Sequence, residues 1–145
     1  MLGVEKVGSE FEFLELEWDT RFFGVSCAKA VLHYPLTLTQ WAALKSQCLK
    51  YEFVCIMNRN AEPINAQYIG RETSAFLADV NLQFVKDLRR EELLYSADVE
   101  ICLIPEDVES LLGLARFGFS RFVEDPELLK RGGDRVHRAW IANAA

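Results

Sequence analysis

The stretch Thr37-Leu38-Thr39-Gln40-Trp41-Ala42-Ala43-Leu44-Lys45-Ser46-Gln47-Cys48-Leu49-Lys50-Tyr51-Glu52-Phe53-Val54-Cys55-Ile56-Met57 decides the fold class. It opens with a hydroxyl residue followed three positions later by Gln, the capping-box pattern that starts a helix. Leu38, Trp41, Leu44, Cys48 and Tyr51 then recur at helical spacing, which predicts a helix to about residue 51. Phe53 to Met57 is wholly apolar and short, the signature of a buried strand. A helix feeding directly into such a strand predicts a sheet with a packed crossover, hence an α/β (α+β) fold.

Working outward towards the N-terminus, residues 11 to 18 alternate, with the apolar phase switching between Phe13 and Leu14. This predicts a strand with a bulge or twist. Trp18 to Gly24 breaks the pattern and reads as a turn, with Asp19 or Thr20 capping a single helical turn and Gly24 ending it. Val25 to His33 predicts a second strand, paired with the first.

Towards the C-terminus, Glu62 to Gly70 predicts a short helix with Pro63 at its start and Gly70 as its stop. Ala75 to Leu88 reads as a strand with Phe76, Ala78, Val80, Leu82 and Phe84 facing a core, and Asp79, Asn81, Gln83 and Asp87 on the other side. The charged run 86 to 92 marks a linker. Val99 to Ile104 predicts another strand. Pro105 then opens a helix with Val108, Leu111, Leu112 and Ala115 on one face and Gly118 as its end. Asp125-Pro126 predicts the cap and first turn of a last helix, with Leu129, Val136 and Trp140 as its buried stripe. Gly132-Gly133 inside it costs about 2 kcal/mol relative to two alanines, so that helix needs tertiary support or bends there.

Composition bounds the function. The chain has 145 residues, 50% hydrophobic and 26% charged, with a net charge of -6. This fits a folded soluble protein and argues against a nucleic-acid partner, since no basic cluster interleaves with aromatics. Four cysteines without CxxC spacing and two histidines, His33 and His137, give only weak support to a zinc site, and no metal is expected. Buried reduced thiols in a cytoplasmic protein explain the cysteines. The N-terminus lacks the apolar run of a signal peptide, and no segment reaches membrane-spanning length. There is no GxxxxGK[ST], GxGxxG after a strand, GxSxG or HExxH, and the catalytic residues are not identifiable.

Several separated segments, collinear over nearly the whole chain, resemble one family. Leu16-Glu17-Trp18-Asp19-Thr20-Arg21-Phe22-Phe23-Gly24 is similar to the W-D-[ST]-x-F-F-G opening of the TDP-fucosamine acetyltransferase family. Phe76 to Phe84 resembles its long strand late in the N-terminal domain. Ile104-Pro105-Glu106-Asp107-Val108 through Ala115 resembles the first strand-to-helix passage of the GNAT acyltransferase fold. Ser120-Arg121-Phe122, Asp125-Pro126 and Ala139-Trp140-Ile141 resemble the following loop and second helix.

The resemblance implies two parts: an N-terminal accessory α/β domain over 1–95, a small mixed sheet with packed helices, and the start of a truncated GNAT-like domain over 97–145, one strand and two helices. It implies an acetyl-CoA-dependent N-acetyltransferase acting on an amino group of a nucleotide-linked amino sugar, a small-molecule amine acceptor. The family's pyrophosphate-binding turn, [QR]-x-x-G-x-[GA], is expected beyond Ala145. This chain alone is therefore expected to bind no cofactor and to be inactive, acetyl-CoA belonging to the full-length enzyme. Gln67-Tyr68-Ile69-Gly70-Arg71-Glu72 matches the first four positions of that turn, but a carboxylate at 72 would repel a diphosphate. The loop Phe119 to Asp125 is expected to border the acceptor, making Arg121 and Phe122 the substrate-binding candidates. Arg121 offers a planar fork for a phosphate or carboxylate, although surface cation and core aromatic are the plainer readings of Arg121 and Phe122. The unpaired edge of a truncated sheet predicts a homodimer or a segment packed on the N-terminal sheet. The alternative to an enzyme is a non-catalytic binding module derived from the accessory domain.

Overall fold

The computed structural model describes residues 11–82, 84, 85, 112, 113, 115 and 120–144. The chain divides into two compact units, Met1–Phe76 and Leu77–Ala145. Among the described residues the structure is mixed α/β, with a small three-stranded sheet and several helices.

In the first unit, β1 (Phe11–Glu15) pairs antiparallel with β2 (Cys27–Leu32), which pairs in parallel with β3 (Phe53–Asn58). The parallel β2–β3 pair requires a crossover, and helix α2 (Leu38–Cys48) supplies it. The register sets Phe11 opposite Leu32 and Phe13 opposite Ala30, with Ala30 opposite Ile56. Alternation therefore gathers these side chains on the sheet face that meets Leu36, Trp41, Leu44, Cys48, Tyr68 and Ile69. The order β1-β2-β3 puts β2 at the centre, and Cys27, Ala28, Ala30 and Leu32 on it are fully buried. β3 is half-buried along its length, and among the described residues it pairs with β2 alone.

Both arms of the capping box form. The Gln40 amide N–H donates to Thr37 Oγ1 at 3.3 Å and the Thr37 N–H donates to Gln40 Oε1 at 2.8 Å. Trp41 and Leu44 are buried, whereas Leu38, expected on the same stripe, is 69% exposed: it is the first residue of the helix and lies outside the core cluster.

Helix α1 (Glu17–Phe23) is longer than the expected single turn and begins before Trp18, so β1 ends at Glu15. Asp19 lies inside it, buried, and Leu16 rather than Asp19 or Thr20 is the cap residue. Thr20 Oγ1 instead accepts from the Cys27 N–H at 2.9 Å, tying α1 to the start of β2. Gly24 ends the helix in the left-handed region, φ 69°, as expected. Phe23 is buried, and Trp18 stacks on Phe22 one turn away, ring centres 4.9 Å apart.

Helix α3 (Pro63–Glu72) starts at Pro63 as expected but runs through Gly70, which is an interior residue and not a stop. Thr73 closes it, its N–H and hydroxyl both donating to the Ile69 carbonyl. Asn65 on this helix is completely buried. Its Nδ2 donates to the Tyr34 carbonyl at 2.9 Å and to Asn58 Oδ1 at 3.2 Å, and its Oδ1 accepts from the Leu36 N–H at 2.9 Å.

The strand expected over 75–88 does not form in its described part. Residues 75–82, 84 and 85 have no regular secondary structure and join neither strand ladder. Alternation creates a face, but a strand exists only where a partner accepts its ladder hydrogen bonds. The linker at 86–92, the strand at 99–104 and the helix expected from Pro105, apart from Leu112, Gly113 and Ala115, lie outside the described residues. Leu112 and Gly113 are helical; Ala115 is buried but not helical, although it was expected inside the helix.

Candidate functional site: the Arg121–Trp140 cluster

In the second unit the stretch expected as a loop is a short helix, α4 (Arg121–Glu124), with the Ser120 carbonyl accepting from the Val123 and Glu124 N–H groups at 3.0 Å. Asp125 then caps α5 (Pro126–Lys130). Its Oδ1 accepts from the Glu127 and Leu128 N–H groups at 2.8 and 3.0 Å, with Pro126 at the first helical position.

The single last helix expected after Asp125 is broken into α5, a 3-10 turn (Gly133–Arg135) and α6 (Val136–Ala144). The two glycines cause the break for different reasons. Gly132 takes a left-handed conformation, φ 94°, and Gly133 packs so closely on the Phe122 carbonyl that any Cβ would collide with it. The break also changes the buried stripe. Leu128 and Val136 are in the core, while Leu129 and Trp140 are 44% and 41% exposed, because a bent chain does not carry one helical phase across 132–133.

This turn brings α6 against α4. Phe122 is buried, its ring edge-on to Trp140 at 5.3 Å and to His137 at 5.8 Å, and the His137 and Trp140 rings are 5.3 Å apart. The Arg121 guanidinium carbon sits 4.3 Å from the centre of the Phe122 ring, a cation–π contact. Burial against these rings, and secondarily the Arg121 charge, push the His137 imidazole below its usual range. It is therefore neutral at physiological pH beside a permanently charged guanidinium. The arrangement combines a fixed cation, a neutral imidazole and a part-exposed indole, which together suit a ligand with an anionic group and an apolar or planar face.

Of the two residues expected to contact substrate, Arg121 is half-buried at this cluster and Phe122 forms its floor. His137 and Trp140 were not expected beside them. Their i, i+3 spacing on α6 puts them on one face, but only the Gly132–Gly133 turn aims that face at Phe122.

The rejected diphosphate turn is also located. Gln67 to Glu72 is the C-terminal half of α3 rather than a helix mouth, and the Glu72 carboxylate is held by Lys45 and Trp41. Cys27 is buried and Cys48 and Cys55 are half-buried; burial pushes the Cys48 thiol up, and Cys102 lies outside the described residues. Among the described residues no group of His, Cys, Asp and Glu is placed to hold a metal, and no helix is long and apolar enough to cross a membrane. No protein-family model matches this chain, and no curated protein and no solved structure matches it either.

Proposed function

We propose that this chain contributes the acceptor side of an acetyl-CoA-dependent N-acetyltransferase whose substrate is the amino group of a nucleotide-linked amino sugar. The observation that carries the reading is the convergence of Arg121, Phe122, His137 and Trp140, because the first two belong to the stretch that the family resemblance sets beside the acceptor. Arg121 supplies charge for a phosphate, and the exposed part of Trp140 supplies a surface for a ring. The 145 residues contain no complete [QR]-x-x-G-x-[GA] sequence, the turn by which the resembled family presents unpaired N–H donors at a helix mouth to the diphosphate of acetyl-CoA.

The test is a pair of calorimetric titrations on this chain. A nucleoside-diphosphate amino sugar is expected to bind and to lose affinity about tenfold in Arg121→Ala, the loss of one charge-assisted contact. Acetyl-CoA is expected to give no saturable heat. Saturable micromolar binding of acetyl-CoA, or no response to the amino sugar, overturns the reading.

A further inference from the structure

We propose that the strip Phe76–Leu82 together with Phe84 docks on the same strip of a second copy of this chain, running antiparallel across a two-fold axis at Val80. The inference is independent of the acetyltransferase reading.

The strip presents apolar side chains to water in unusual number. Phe76, Leu77, Val80, Leu82 and Phe84 are 55%, 81%, 70%, 71% and 90% exposed, and Asp79 and Asn81 are exposed between them. A soluble chain seldom leaves so continuous an apolar run uncovered unless something binds there. From Ala78 to Phe84 apolar and polar residues alternate, which suits a strand, and a segment outside any ladder carries backbone donors and acceptors ready to pair with another chain.

The sequence also says which partner fits. An isologous interface requires a surface complementary to itself. With the axis at Val80, Phe76 faces Phe84, Ala78 faces Leu82 and Val80 faces its own copy, so every apolar residue of that face meets another. On the opposite face Asp79 meets Asn81, and no like charges oppose. The neighbouring registers are worse. An axis at Asp79 sets two carboxylates against each other, and an axis at Asn81 sets Phe76 against Lys86. A single strand pair falls short of the roughly 1,200 Å² of a stable interface, so the association is weak and depends on concentration.

Sedimentation equilibrium of the full chain, with amide hydrogen exchange, tests the proposal. The mass is expected to rise with concentration from 16.6 kDa towards twice that value, with protection of the 76–82 amides appearing in step. Val80→Lys, which sets two ammonium groups on the axis, is expected to leave a monomer. Asn81 reads the register. Asn81→Lys pairs with Asp79 twice by symmetry and should tighten the dimer roughly fivefold, whereas Asn81→Asp should loosen it by a similar factor. Circular dichroism checks that each variant is folded, and the Asn81 pair decides if Val80→Lys is not. A monomer at every concentration, 76–82 amides protected in the monomer (pairing within the chain), or equal effects of the two Asn81 changes would overturn the proposal.

Discussion

The buried indole of Trp41 and the carboxylate of Glu72, thirty-one residues apart, are joined by a 2.9 Å hydrogen bond from Nε1 to Oε2. Lys45 donates to the same oxygen at 2.8 Å, so one carboxylate fastens α2 to α3. The Lys45 hydrogen bond first, and that of Trp41 second, hold Glu72 below the usual glutamate range. A carboxylate depressed in the folded state stabilises it above the unfolded-state value near 4.3, and the contribution disappears as pH falls through the lower folded value. Glu72→Gln is accordingly expected to melt below wild type at neutral pH. The gap should close on acidification below about pH 4, as read by thermal melts across pH at low salt.

Asn65 satisfies three polar groups inside the first unit. Asn65→Leu leaves the Leu36 N–H and the Tyr34 carbonyl without that partner, at about 1–3 kcal/mol for each group that stays buried. Chemical denaturation should show a loss of a few kcal/mol with an unchanged slope. Asn65→Asp keeps the acceptor for Leu36 but removes the donors and is expected to be destabilising as well.

Two glycines separate conformational from steric need. At Gly24 a Cβ meets open space, and only the left-handed φ opposes it, so Gly24→Ala should cost about 1–2 kcal/mol. At Gly133 the obstacle is the Phe122 backbone, which has no flexible end to move aside. Gly133→Ala should cost more than Gly24→Ala and should disturb the Phe122–Trp140 packing. Near-ultraviolet circular dichroism distinguishes the two.

His137 lies in the first turn of α6, near the positive end of the helix dipole, and shares the aromatic cluster with Arg121. Its folded pKa is depressed, so the stability it contributes is present above its unfolded value near 6.5 and is lost as pH falls through the folded value. Titration of the imidazole followed by NMR should show a midpoint below 6.5. Arg121→Gln should raise that midpoint, although not fully, because burial is the larger cause.

Thr37→Ala removes the acceptor for the Gln40 N–H and should cost about 1 kcal/mol. Since Gln40 returns a bond to the Thr37 N–H, a double-mutant cycle with Gln40→Ala should show the two losses to be less than additive.

Much of the first unit was legible because its signals are local. The Thr37–Gln40 box, Pro63 and Gly24, like Asp125-Pro126 in the second unit, act within one turn of their own position, so residue type and spacing alone reveal them. The βαβ crossover followed from adjacency: a helical period ending where an apolar run begins. Gly70 misled because a glycine without a positive φ is tolerated inside a helix, at a cost that neighbouring packing outweighs. The 75–88 alternation misled for another reason: a period of two announces a face but does not supply a partner strand within the chain.

The amino-acid sequence by itself determined where α2, α3 and α5 begin, which strands run through the first sheet, and that the last helix needs support or a bend at Gly132–Gly133. These depend on backbone preferences and on side-chain spacing within a few residues. Only the tertiary structure decided that Asn65 would close the polar gap beside Tyr34 and Leu36, that Glu72 would meet Trp41, and that His137 and Trp140 would flank Phe122. Each of those contacts joins residues distant in the chain or aimed by a turn between them. Their energy depends on the placement of several elements at once, and residue type carries none of that information.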